Sequence, residues 1–235
     1  MARPVASVLF VLVVVLSAGE PALRAAGRPV TFRAGDGRTI GGTLNEASRR
    51  PAPAVVLVPM LGRSRDDWQG PGQQLVDANI TSLAIDLPGQ SVPEDVKALT
   101  AWSDDIRAAL GYLEARADVR GNAMGVAGAS LGASLAAVAA SDPRVHALVL
   151  ISPSLDYRGL RIDGAMRQYG ARPALLLASR QDSYAARSVR DLARDAPGPR
   201  DMQWSDAPAH GMALLGREPD LVRLLVEWFQ RTLGG

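Results

Sequence analysis

The stretch Met124–Leu135 restricts the architecture more than any other part of the chain. It reads Met-Gly-Val-Ala-Gly-Ala-Ser-Leu-Gly-Ala-Ser-Leu. An apolar run turns through Gly128 and Gly132 around Ser130 and then becomes Ala-rich, the pattern of a strand feeding a helix through a tight elbow. Such a turn holds its central residue in a strained backbone conformation, and small residues on either side let strand and helix approach without side-chain clashes. The serine hydroxyl then projects from the end of a sheet. The N–H of Leu131 opens the helix and faces any negative charge developing beside the serine.

The rest of the chain supplies that sheet. Val30–Arg33 and Thr39–Leu44 flank Asp36-Gly37, a hairpin signature. Ala54–Val58 and Ile80–Ile85 are apolar runs of the kind buried on both faces of a parallel sheet. Between them lies a loop, Gly62–Trp68, and a helix over Gly72–Ala78. Trp102, Ile106, Leu110 and Leu113 recur at helical spacing and predict one helix over Leu99–Ala117. After the elbow come a strand over Val145–Ile151, a long loop with a short helix around Ala165, and a strand over Ala174–Ala178. A helix over Tyr184–Arg194, a strand over Asp201–Ser205 and a helix over Leu221–Leu233 complete the pattern. Strands alternating with helices after a hairpin imply an α/β fold with a mostly parallel sheet and helices on both faces. The 235 residues, 47% of them hydrophobic, suffice for one sizeable domain.

In such sheets the reactive groups gather at the carboxyl ends of the strands. Ser130 occupies one such place, Asp182 in Ser179-Arg180-Gln181-Asp182 a second, and His210 in Ala209-His210-Gly211 a third. Serine is a weak nucleophile until an imidazole takes its proton. A carboxylate fixes the imidazole tautomer and stabilises the imidazolium. Asp182 also stands where it can cap the following helix. The other histidine, His146, begins a strand and reads as structural.

These segments resemble the α/β-hydrolase family over nearly all of the chain after residue 26. The order Ser, Asp, His is that family's order. Val55–Trp68 resembles its strand and oxyanion loop, commonly a hydrophobic run followed by His-Gly-x-Gly. Asp86-Leu87-Pro88-Gly89-Gln90-Ser91 is similar to its Asp-x-x-Gly-x-Gly-x-Ser stretch, and His210-Gly211 followed by an amphipathic helix also matches. Capless dienelactone hydrolase-like proteins and small esterases are the most similar members. Dienelactone hydrolases proper use a cysteine nucleophile, which this chain lacks. Pro59-Met60 replaces His-Gly, and proline has no N–H to give. The resemblance therefore implies oxyanion donors at Leu131 and Leu61, with Met60 as the alternative to Leu61.

Composition narrows the remaining classes. With no cysteine there is no disulfide, thiol nucleophile or thiolate metal site, and two histidines make a His-rich metal site implausible. A formal charge of +2 without a Lys/Arg run gives no nucleic-acid footprint. No Gly-rich phosphate loop follows the first parallel strand. The expected activity is an ester-cleaving serine hydrolase acting on a small molecule through an acyl-enzyme, with no cofactor or metal. A thioesterase, amidase or peptidase would use the same groups, and a non-catalytic binding protein of this fold is the second class. Arg3, an apolar run over Val5–Leu16 and Ser17-Ala18-Gly19 read as a signal peptide spanning residues 1–26. Cleavage is expected near Ala18 or Gly19, with Ala25-Ala26 as a second candidate and an uncleaved N-terminal anchor as the alternative. The hydrolase domain would then span residues 27–235, exported to the periplasm or beyond.

Overall fold

The computed structural model describes residues 27–89, 91–195 and 197–234; the signal segment read in residues 1–26 lies outside them. Eight strands of the described residues form one sheet: β1 (Arg28–Arg33), β2 (Thr39–Asn45), β3 (Ala52–Val58), β4 (Thr81–Ile85), β5 (Val119–Ala129), β6 (Val145–Ile151), β9 (Ala174–Ser179) and β10 (Arg200–Ser205). Their order is β1-β2-β4-β3-β5-β6-β9-β10. β1 and β2 form the predicted hairpin, and β2 pairs antiparallel with β4. From β4 to β10 every pairing is parallel. A small hairpin, β7 (Asp156–Tyr157) with β8 (Leu160–Arg161), stands apart.

The pleat divides the core into two layers. Ala54, Val56 and Val58 of β3, with Leu148 and Leu150 of β6, face α3 (Ser103–Glu114), α4 (Leu131–Ala139) and α6 (Ser183–Asp195). Val55, Leu57, Val149 and Ile151 face the opposite way, onto α1 (Gln69–Asp77), α7 (Met212–Arg217) and α8 (Pro219–Leu233). Side chains alternate across a strand, so a strand with apolar residues at every position is stable only when both faces are covered. β3 is such a strand, buried at all its positions.

Three local features differ from the sequence reading. The expected helix over Leu99–Ala117 is two: α2 (Val96–Ala101), capped by Asp95, and α3. They meet at Trp102, whose N–H bonds back to the Leu99 carbonyl in the tighter i−3 pattern. Arg65–Trp68, read as loop, is a 3-10 turn capped by the Ser64 side chain and running directly into α1. α7 lay in a stretch read without an element. The short helix expected near Ala165 is α5 (Asp163–Tyr169).

The chain moves from β3 outward to β4, then crosses back over β3 to β5. That reversal places a crevice at the carboxyl ends of β3 and β5, where Pro59 and Ser130 lie.

Candidate active site

Ser130 follows β5 directly, with φ 52° and ψ −119°. A side chain rarely adopts this conformation, and the surroundings fix it. The Ser130 N–H donates to the Ile151 carbonyl at 2.9 Å, while the Ser130 carbonyl accepts from Ala133 and Ser134 in α4. A Cβ on Gly128 would strike the backbone of Gly132, and a Cβ on Gly132 would strike the Pro59 carbonyl. The two glycines thus admit a three-way backbone contact among β5, α4 and the end of β3. Leu131 is the first residue of α4, so its N–H has no partner within the helix and points out of the helix's positive end.

Asp182 follows β9 and enters α6. Its two oxygens are divided. Oδ1 accepts the Ala185 N–H at 3.1 Å, capping the helix, and Oδ2 lies 2.5 Å from His210 Nδ1. The one carboxylate thus both caps α6 and contacts the imidazole. His210 follows β10, and its Nε2 lies 2.7 Å from Ser130 Oγ. The partners fix the tautomer: an ionised carboxylate cannot donate, so Nδ1 carries the proton and Nε2 accepts from the serine hydroxyl. The imidazole is 44% exposed and Asp182 only 17%. The imidazole is open to an incoming molecule, whereas the carboxylate is held among protein groups.

The loops carrying these residues are tied together. Ser179 Oγ donates to the Ala207 carbonyl at 2.6 Å, and the Gln181 side chain donates to the Asp206 carbonyl at 2.6 Å. Ser205 Oγ donates to Glu218 at 2.5 Å and accepts the Ala207 N–H. Gly211, at φ 58°, donates its N–H to the buried hydroxyl of Ser152 at 2.9 Å. Sequence reasoning did not single out Ser152. Its only signal was a serine at the carboxyl end of an apolar strand, before a proline.

Beyond β3, the Arg63 N–H closes a turn onto the Met60 carbonyl, with Gly62 at φ 71° supplying the left-handed position. Leu61 sits in this turn, partly buried against one core layer, and its N–H is not used by the turn's own bond. Asp86, at the end of β4, accepts both the backbone N–H and the guanidinium of Arg65, at 2.9 and 2.8 Å, and so anchors the same loop. A cavity of about 510 Å³ opens beside His210, between Met60, Arg63 and Asp67 on one side and Met212, Ala213 and Leu215 on the other. α7 begins directly after Gly211 and forms one wall of this cavity. His146 is the second residue of β6, about 16 Å from Ile151 at a rise of roughly 3.3 Å per residue, and remote from Ser130. Among the described residues there is no cluster of three or more His, Asp or Glu side chains placed to hold a metal ion.

The fold is shared with solved structures of low sequence identity. A dienelactone hydrolase from Anabaena variabilis superposes with a TM-score of 0.75 at 20% identity, over 89% of this chain and 100% of its own. The esterase domain of a Rhodothermus marinus protein gives 0.71 at 18%, over 88% and 99%. Est1E from Butyrivibrio proteoclasticus gives 0.74 at 14%, over 89% and 100%. No curated protein sequence matches the chain significantly. The sequence model described as the alpha/beta hydrolase family matches residues 55–232, which span β3 to α8 and include Ser130, Asp182 and His210. The chain belongs to the alpha/beta hydrolase family.

Proposed function

We propose that this protein is an exported serine hydrolase that cleaves carboxylic esters of small molecules through an acyl-enzyme. The observation that carries the reading is the unbroken line from Asp182 Oδ2 through His210 to Ser130 Oγ, at 2.5 and 2.7 Å. In the first half-reaction Ser130 Oγ attacks the ester carbonyl as its proton passes to His210 Nε2. The tetrahedral oxyanion is held by the N–H groups of Leu131 and Leu61. Collapse breaks the bond to the alcohol oxygen, which takes the proton from Nε2 and leaves. In the second half-reaction water gives a proton to Nε2, its oxygen attacks the acyl carbon, and Ser130 departs with that proton as the acid is released. Asp182 holds the Nδ1–H throughout and stabilises the imidazolium. These steps call for no cofactor or metal. The structural neighbours, among them a dienelactone hydrolase and an esterase domain, favour an ester over an amide or thioester.

A fluorophosphonate probe tests this directly. Stoichiometric labelling is expected on Ser130, and Ser130→Ala is expected to lose both labelling and ester turnover, the latter by about a million-fold. His146→Ala is expected to keep both. Folded protein that stays unlabelled would favour the non-catalytic binding role. The signal peptide is proposed to lie within residues 1–26, and N-terminal sequencing of protein from its native host is expected to begin after Ala18 or within several residues of it. A chain still starting at Met1 or Ala2 would support an anchor instead.

A further inference from the structure

The cavity beside His210 is asymmetric with respect to the reacting atoms. It is lined by His210 but not by Ser130, and it runs from Met60 past the imidazole to Met212, Leu215 and Val222. Its rim charge is already compensated. Arg63 directs Nε and Nη2 at the two oxygens of Asp67, at 2.7 and 2.6 Å, a bidentate pairing that leaves the guanidinium little appetite for a substrate anion. The loop arginines are in the same state: Arg161 and Arg167 both pair with Asp163. What remains on offer is a largely apolar space bounded by two methionines, side chains that adapt to varied apolar shapes.

Building on the proposed ester hydrolysis, we infer that this cavity is the site for the alcohol portion of the substrate, and that it selects esters of bulky, uncharged, apolar alcohols. The reason is proton geometry. His210 Nε2 must deliver its proton to the departing alcohol oxygen, so that oxygen reaches the imidazole within hydrogen-bond distance. The carbon skeleton attached to it then continues on the imidazole's side of Ser130, into the space that the imidazole lines. The acyl carbon, bonded to Ser130 Oγ, stays behind. Apolar contacts that align the leaving group with Nε2 act in the transition state and so raise kcat/KM.

Two series of esters test this with leaving-group basicity held nearly constant. In acetates of primary alcohols, kcat/KM is expected to rise at least tenfold from ethyl to cyclohexylmethyl. In methyl esters, lengthening the acyl group from acetate to octanoate is expected to give no comparable rise. Ala213 is exposed and lines the cavity, and a Cβ at Gly216 would meet open space. Ala213→Trp, and independently Gly216→Trp, should therefore fill the cavity without disturbing the core, and each is expected to cut the cyclohexylmethyl-to-ethyl ratio by at least fivefold. An unchanged ratio in both folded variants, or a stronger response to the acyl series, would overturn the assignment while Ser130 labelling still held. Loss of Ser130 labelling in the unaltered protein would instead remove the hydrolase reading beneath it.

Discussion

The buried hydroxyl of Ser152 accepts the backbone N–H of Gly211 at 2.9 Å, tying the carboxyl end of β6 to the loop that carries His210. Ser152 itself has φ 49° and is held by its own N–H on the Leu177 carbonyl at 2.7 Å. Ser152→Ala would leave the Gly211 N–H buried without an acceptor, at a cost of about 1–3 kcal/mol. It would also free the imidazole to drift from Ser130. Turnover is expected to fall roughly 10- to 100-fold, as for small misplacements of a reacting group, with KM little changed. Steady-state kinetics and denaturant unfolding on the same variant check both effects. A loss of stability with kcat intact would make Ser152 a packing residue only.

The divided carboxylate of Asp182 separates two roles by substitution. Asp182→Asn keeps an oxygen for the Ala185 N–H but presents an amide to His210, which favours the wrong tautomer. Turnover is expected to drop by roughly ten-thousand-fold with near-native stability. Asp182→Ala loses the cap as well and is expected to unfold about 1 kcal/mol more easily. Equal stability of the two variants would show that the cap contributes nothing.

The close backbone contact behind the elbow makes Gly132 intolerant of any side chain. Its Cβ would meet the carbonyls of Pro59 and Val58, and backbone cannot swing aside as a side chain can. Gly132→Ala is expected to cost about 3 kcal/mol or more, visible as a lower unfolding midpoint or as insoluble protein. Gly216, in α7, faces open space. Gly216→Ala is expected to be neutral or to stabilise by up to about 1 kcal/mol through helix propensity. Similar unfolding midpoints for the two variants would contradict the contact.

The elbow, the parallel sheet and the three candidate side chains that the structure brings within hydrogen-bond reach were all legible in the sequence, because each rests on local pattern: a glycine-flanked serine, apolar runs, loops at strand ends. What stayed hidden depends on residues distant in the chain. α7 is too short to show a helical period, and it starts just after Gly211, whose positive φ and close approach to Met60 and Ser130 are set by residues far away in the chain. The break at Trp102 was masked because the apolar spacing continues across it while the backbone remains in the right-handed helical region. The cavity's second wall followed from α7 and was missed with it. Asp86 is legible in the sequence as part of a family-like stretch, but its bonds to Arg65 join residues far apart in the chain and leave no local pattern.

Acid sensitivity is expected from carboxylates held by arginine. The Arg144 guanidinium hydrogen-bonds Asp142 and holds its carboxyl below the ordinary range; Arg116 does the same for Asp118. A carboxylate whose folded pKa is depressed contributes stability that is present above the unfolded pKa and lost as pH falls through the folded one. Stability is therefore expected to decline below about pH 4, the ordinary aspartate range. Asp142→Asn is expected to flatten part of that decline while lowering stability at neutral pH. Thermal unfolding from pH 3 to 7 measures both, and an unchanged slope in the variant would remove Asp142 from the account.

Substrate access provides the last test. Hydrolases with a mobile cap insert it between the strands that correspond here to β6 and β9. In this chain that segment holds only the β7–β8 hairpin and α5, and it is fastened down. Ser134 Oγ donates to the Ser154 carbonyl at 3.2 Å, the Leu155 N–H donates to Ser188 at 3.0 Å, and the Tyr184 hydroxyl donates to the Asp156 carbonyl at 2.5 Å. Each bond runs from α4 or α6 to the start of the segment, where a hinge would have to move. The serine therefore stays accessible from solvent without a closing lid, and no deep acyl tunnel is expected. Rates on short acyl esters are expected to follow simple saturation through the solubility limit of the substrate. Tyr184→Phe, which removes one fastening, is expected to leave that behaviour unchanged. A sharp rise in rate on emulsified substrate, or a strong preference for long acyl chains, would mean that this segment opens despite its fastenings.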